Sequence, residues 1–151
     1  MKRKPTADTR GEILAVAEKC FGATGFGGTS INEVAAATRY TKPVLYYHFG
    51  SKAGLFNALL EQAHDECFAI VVAATGKSER LDEQLVNILA GLFDFLRDRK
   101  DLTRLAFATA FAAPKEVPRA LQQDERRKRY FQFMQKLVTA GLKRGELNPA
   151  I

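Results

Sequence analysis

The stretch Ser30-Ile31-Asn32-Glu33-Val34-Ala35, followed by Thr41-Lys42-Pro43-Val44-Leu45-Tyr46-Tyr47-His48-Phe49-Gly50-Ser51-Lys52, decides how the chain folds. Ser30 and Glu33 have the spacing of a capping box, in which hydroxyl and carboxylate each satisfy a backbone N–H left over at a helix start. A short helix carrying Ile31, Val34 and Ala35 is therefore expected from Ser30. Thr41-Lys42-Pro43 is a second start, with a hydroxyl cap and a proline in the first turn, where its missing N–H costs nothing. Leu45 and Phe49 make an i, i+4 core pair, and Gly50 ends that helix. Ser51 then caps a longer one that opens at Lys52 and carries Leu55, Phe56, Leu59, Phe68 and Val72 to about Thr75.

The same periodicity extends in both directions. Upstream, Ile13, Leu14, Ala17 and Phe21 form one helical stripe that stops at Gly25, where glycine can take a left-handed closing conformation. Downstream of Gly76, helices are expected over 79–99, 101–112 and 116–144, broken at Lys100-Asp101 and Pro114-Lys115, with Pro118 in an early turn. Sustained alternation is absent, so the chain reads as all-α. Eight of the eleven phenylalanines (56, 68, 93, 95, 107, 111, 131, 133) follow residue 52, which predicts the heavier apolar filling there.

Composition limits the function classes. The chain has 151 residues, 46% hydrophobic and 26% charged, enough to bury a core without disulfide staples. No apolar run reaches the roughly 20 residues of a membrane span, and Met1-Lys2-Arg3-Lys4-Pro5 has no secretory apolar stretch, so a soluble, cytoplasmic protein without a membrane partner is expected. Cys20 and Cys67 make no metal-type spacing with His48 and His64 and read as reduced core thiols. No metal and no cofactor is expected. Gly22, Gly25, Gly27 and Gly28 follow a helix rather than a strand, so they make no phosphate-cradling loop, and no nucleophile-base-acid set emerges. An enzyme is not expected.

Charge points to a polyanion. The net charge is +6, of which residues 1–52 carry +4, in a basic arm and around Lys42 and Lys52. Residues 29–52 read as two helices joined by a tight turn near Arg39-Tyr40, the helix-turn-helix arrangement whose second helix can enter the major groove of DNA. With Leu45 and Phe49 packed inward, Thr41, Lys42, Pro43, Val44, Tyr47 and His48 point outward and Tyr46 lies near the boundary. That surface has donors and aromatic rings but no acid. Thr29 and Ser30 at one helix start, and Ser51-Lys52 at another, suit phosphate oxygens. The alternative is a structural helical hairpin with a polar face.

Gly25-Phe26-Gly27-Gly28-Thr29-Ser30-Ile31-Asn32-Glu33-Val34-Ala35, with the run from Thr41 to Lys52, closely resembles the DNA-binding signature of the tetracycline-repressor (TetR) family over about residues 7–67. The resemblance implies an N-terminal three-helix DNA-binding domain, 7–67, joined by a long helix to a C-terminal helical domain, 68–151, that binds a small molecule and dimerises. It implies a homodimeric, ligand-responsive transcriptional regulator, a repressor, reading a double-stranded DNA operator. By position, Lys42, Pro43, Val44 and Tyr46 resemble base-side or sugar-side contacts. Tyr47, His48, Lys52, Thr29 and Ser30 resemble phosphate contacts, and Asn32 stands where a side chain can reach a base. Two departures stand out. Arg39 and Tyr40 replace the glycine and small aliphatic residue usual in the turn, and a left-handed Arg39 costs around 1 kcal/mol, so a different turn is expected. The chain also stops at Leu147-Asn148-Pro149-Ala150-Ile151, where the first of two further dimerisation helices would begin, which implies either an incomplete chain, the favoured reading, or a different mode of dimerisation.

Most of the later phenylalanines read as packing, but helices of this length can enclose an apolar site, with Phe68, Phe93, Phe107, Phe111, Phe131 and Met134 as candidate lining. Arg126-Arg127-Lys128-Arg129, after Asp124-Glu125, reads as a solvated helix face with i, i+3 and i, i+4 pairs rather than a second nucleic-acid patch. His64 reads as a plain helix-face residue. A helical small-molecule-binding or protein-interaction module without transcriptional activity is the alternative function.

Overall fold

A computed structural model describes residues 7–111 and 125–147. They form α1 (Ala7–Gly28), α2 (Ile31–Ala37), α3 (Lys42–Phe49), α4 (Lys52–Thr75), α5 (Leu81–Asp98), α6 (Lys100–Phe111) and α7 (Glu125–Lys143), with no strand among the described residues. The all-α expectation holds, and boundaries agree within a few residues. Lys2, Arg3, Lys4, Pro114, Lys115, Pro118, and the part of the expected 116–144 helix before residue 125 lie outside the described residues.

The chain divides into two compact units. The first holds residues 7–62 and 99–111, the second 63–98 and 125–147. In the first, Ile13, Leu14, Ala17 and Phe21 of α1 are buried with Ile31, Val34, Leu45, Leu55, Phe56 and Leu59. Phe21, Phe26 and Phe56 form a three-ring cluster with centroids 4.9 to 6.3 Å apart.

Gly25 breaks α1 with φ 73 and ψ −179, so its φ is positive as expected but its ψ is extended rather than left-handed helical, and one more turn follows to Gly28. An extended ψ at positive φ is a region essentially reserved for glycine. It places Thr29 back under the helix end, with its hydroxyl oxygen 2.8 Å from the Gly25 carbonyl and 3.2 Å from that of Cys20. Its single O–H can thereby satisfy one of the carbonyls left over at the helix terminus.

α6, expected with the C-terminal helices, packs on α1. Arg99 grips the Glu18 carboxylate through two nitrogens, at 3.0 and 2.5 Å. Gly22 permits the close approach, because a Cβ there would stand 2.6 Å from Asp101 Cβ and 2.9 Å from its carbonyl oxygen.

In the second unit Val71, Ala74 and Ile88 are buried, with Leu92, Tyr130, Phe133, Met134 and Leu137 packed against them. Gln84 closes the α4–α5 turn by donating to the Thr75 and Ser78 carbonyls. Lys128 pairs with Glu125 at 2.6 Å as a solvated face should, whereas Arg126 and Arg129 both reach Asp65 on α4. The side chain of Arg127 lies outside the described residues.

Two expectations about filling are corrected. Phe93, Phe107, Phe111 and Phe131 are 68%, 59%, 85% and 68% exposed, so the later phenylalanines do not supply a heavier core. Helices α5 and α7 have too few neighbours among the described residues to cover all their apolar faces, and α5 leaves Val86, Leu89 and Phe93 as one exposed stripe. Cys20 and Cys67 are half-buried rather than in the core.

Adding one methyl at Gly22 should force α1 and α6 apart and lower stability by about 1–3 kcal/mol. Gly11 faces open space, so Gly11→Ala in the same helix should raise stability by about 0.5–1 kcal/mol. Thermal unfolding followed by circular dichroism should therefore move in opposite directions for Gly22→Ala and Gly11→Ala.

Candidate nucleic-acid interface

α2 begins as its sequence requires. The Glu33 N–H donates to Ser30 Oγ at 3.2 Å, and the Ser30 N–H donates to Glu33 Oε2 at 2.6 Å. Ile31 and Val34 face the core, leaving Asn32 exposed. Thr38 ends the helix, its hydroxyl donating toward the Ala35 carbonyl and accepting from the Tyr40 N–H.

The turn into α3 solves the Arg39-Tyr40 problem without left-handed backbone, since positive φ among the described residues is confined to glycine. Arg39 Nη2 donates to Glu12 Oε1 at 2.5 Å, and the Tyr40 hydroxyl donates to Glu12 Oε2 at 2.7 Å. The Arg39 guanidinium also lies 5.4 Å from the Tyr40 ring centre. Its charge is thus answered by α1 rather than simply added to the surface.

α3 presents a short, well-held face. Leu45 is buried, Gly50 closes the helix with its N–H on the Tyr46 carbonyl, and Pro43 sits in the first turn. Thr41 occupies the cap position but its hydroxyl makes no capping bond, contrary to expectation. Thr41, Lys42, Pro43, Tyr46 and Tyr47 are exposed, Tyr47 by 76%. Lys42 Nζ stands 5.8 Å from the Tyr46 ring centre. This leaves a cation, two phenols and a threonine on one helix with no carboxylate between them.

Four of the side chains expected at the interface are wholly or partly engaged within the protein. Val44 is half-buried against the core rather than pointing outward. His48 is half-buried edge-on to Tyr47, and its Nε2 is buried without a hydrogen-bond partner. Thr29 is 3% exposed and its hydroxyl is spent inside the α1 terminus. Lys52 Nζ donates to the Phe26 carbonyl at 2.8 Å and the Thr29 carbonyl at 3.0 Å, 4.4 Å over the Phe26 ring. Two of its three donors hold protein, leaving one. Ser30 remains exposed while serving as the cap.

Sequence reasoning missed Glu12, which anchors the turn, and Arg10, whose guanidinium lies 5.5 Å from the Phe49 ring centre. Neither has a local signal, because Glu12 meets partners 27 and 28 residues away.

Loss of the Lys52 donors should strand two carbonyls at the α1–α2 corner. Lys52→Met, which keeps the stem, should lower stability by about 1–3 kcal/mol, read as a drop in the urea midpoint. The Glu33 carboxyl is held below the ordinary carboxylate range, chiefly by the Ser30 N–H and then by the Ser30 hydroxyl. A depressed folded value means the box stabilises α2 fully above the unfolded value and is lost as pH falls through the folded one. An NMR titration should find the Glu33 carboxyl titrating below the chain's exposed, unpaired glutamates, and Ser30→Ala should return it toward the ordinary range.

Comparison with known proteins agrees with this geometry. Residues 13–59 match the family described as bacterial regulatory proteins, tetR family. The HTH-type transcriptional activator FasR of Mycolicibacterium smegmatis is 29% identical over 115 residues, 76% of this chain and 52% of that protein. The HTH-type transcriptional repressor AcnR of Corynebacterium glutamicum is 37% identical over 59 residues, 39% of this chain and 31% of that protein. The matches thus span about half or less of these relatives' lengths. Among solved structures, the fatty acid degradation regulator FadR from Bacillus halodurans aligns with TM-score 0.85 at 16% identity, over 98% of this chain and 76% of that one. A TetR-like transcriptional regulator from a Rhodococcus species aligns with TM-score 0.74 at 24% identity, over 95% and 76%. At these identities the likeness to both structures is one of fold. The capped α2, and α3 with Leu45 inward and Lys42 and Tyr47 outward, both lie within residues 13–59, the segment that matches the tetR family of bacterial regulatory proteins.

Proposed function

We propose that the chain is a homodimeric transcriptional regulator, a repressor in the cytoplasm, that reads a palindromic double-stranded DNA operator with α3 and is released by a small molecule bound among its C-terminal helices. The observation that carries the reading is the exposed, acid-free face of α3. Packing accounts for Leu45 and in part for Val44 and Phe49, but it gives no reason for Lys42, Tyr46 and Tyr47 to stand together in water.

In this reading Lys42, Pro43 and Tyr46 lie against base edges, and Tyr47, Ser30 and the remaining Lys52 donor lie on phosphates. Asn32 approaches the same groove from α2. Two copies place their α3 helices in successive major grooves about 34–36 Å apart, so the operator repeats with that period. A ligand weakens binding only through different affinities for the competent and incompetent arrangements. A binding module without transcriptional activity is the competing reading, and it requires that no DNA is held at any salt.

Selection of bound DNA from random sequence should recover a two-fold repeat, and affinity for it should fall steeply between 50 and 200 mM salt, as phosphate contacts require. Lys42→Ala or Tyr46→Phe should cost about 1–3 kcal/mol at particular base pairs and shift the preferred sequence. Tyr47→Phe should weaken every sequence alike by about 0.5–1.5 kcal/mol. Unchanged preference in the Lys42 and Tyr46 variants would remove α3 as the reading element.

A further inference from the structure

The second unit holds a cavity of about 550 Å³ among α4, α5 and α7. Phe68, Leu92, Leu96, Phe131 and Met134 make its walls apolar. Phe68 is held edge-on to Phe133 at 5.5 Å and lies under the Arg129 guanidinium at 4.3 Å, so that wall is set by packing. The volume is that of a site for one small organic molecule.

The polar side chains in the lining are few and of one kind. His64, Cys67, Arg126 and Tyr130 can each donate a hydrogen bond, and among the described residues no carboxylate lines the cavity. Arg126 is the permanent charge among them. Its Nε faces both oxygens of Asp65 at 3.3 and 3.4 Å, and Arg129 holds the same carboxylate at 2.8 Å, so Asp65 fixes the plane of the Arg126 fork. The Tyr130 phenol is a neutral donor at physiological pH, and burial pushes it further above its usual range. A cationic ligand would meet the guanidinium and no counter-charge in the lining.

From this geometry we infer that the cavity takes an amphipathic anion, a single carboxylate on an apolar chain, with the carboxylate on Arg126 and Tyr130 and the chain along Phe68, Leu92, Leu96, Phe131 and Met134. The assignment deepens the ligand-responsive reading proposed above and rests on it for any effect on DNA, but not for binding itself.

The chain contains no tryptophan, so titration calorimetry on the DNA-free protein is the direct test, with decanoate, decanol and decyltrimethylammonium as probes at pH 7.5. Decanoate should bind about tenfold or more tighter than decanol, the margin of one charge-assisted contact, and the ammonium should bind weakest. Arg126→Gln should remove that margin while leaving decanol within about twofold, since the apolar walls are untouched. Met134→Trp, with its fold checked by circular dichroism, should weaken decanoate and decanol together by filling the cavity. The assignment is overturned if decanol matches decanoate, if the ammonium binds tightest, if none of the three binds, or if either variant binds decanoate as the parent does. Decanoate that binds as described yet leaves operator affinity unchanged supports the cavity assignment and sinks only the ligand-responsive reading. Absent decanoate binding with operator recognition intact sinks the assignment alone.

Discussion

Lys52 reaches from the first residue of α4 to the carbonyls of Phe26 and Thr29, and the part of the molecule that carries the proposed DNA-reading helix is organised around that joint. α1 has just broken at Gly25 and α2 has not yet begun, so the backbone between them exposes carbonyls that neither helix can use. A buried hydroxyl from Thr29 satisfies the helix end, and the ammonium satisfies the corner while resting on the Phe26 ring. Beneath it Phe21, Phe26 and Phe56 bring α1, the corner and α4 together. An ammonium in this position is worth more as a tie than as a free charge, because a partly desolvated hydrogen bond is stronger than one made in water.

A second tie works on the other side of α3. Glu12 on α1 receives both Arg39 and Tyr40, so the turn that precedes α3 is clamped to α1. A glycine turn would owe its shape to backbone freedom. Here the shape comes from side chains, and the cost of an ordered arginine and tyrosine is offset by two bonds to one carboxylate. The orientation of α3 therefore depends on residues at both ends of the helix and on α1, with Leu45 as the pivot between them.

Local rules were readable in the sequence wherever the interaction spans a few residues. The Ser30–Glu33 box, Pro43 in a first turn, Gly50 as a stop and the Ser51 cap on the Gly54 N–H all follow from spacing alone. Direction was harder to read. Val44, Thr29, His48 and Lys52 each carry a side chain suited to DNA, and each is drawn inward to some degree by partners far away in sequence. The apolar site shows the same limit. Phe68, Phe131 and Met134 meet at one cavity, whereas Phe93 lies off it and exposed and Phe107 and Phe111 belong to the other unit. Hydrophobicity marks a phenylalanine as a candidate for burial, but the turn that aims its helix decides, and those turns carry no long-range signal.

The exposed stripe of Val86, Leu89 and Phe93 on α5 has a consequence for the protein as a solute. With a net charge of +6, molecules repel one another at low ionic strength. Added salt screens that repulsion within about 8–10 Å at 0.10–0.15 M, while an apolar stripe loses nothing to screening. Salting-out ions such as sulfate strengthen its tendency to leave water. Ionic strength thus acts on this chain in two opposed senses, loosening the proposed hold on a polyanion and tightening contacts among its own apolar faces. Colloidal behaviour and the proposed nucleic-acid affinity are in this way governed by one solution variable.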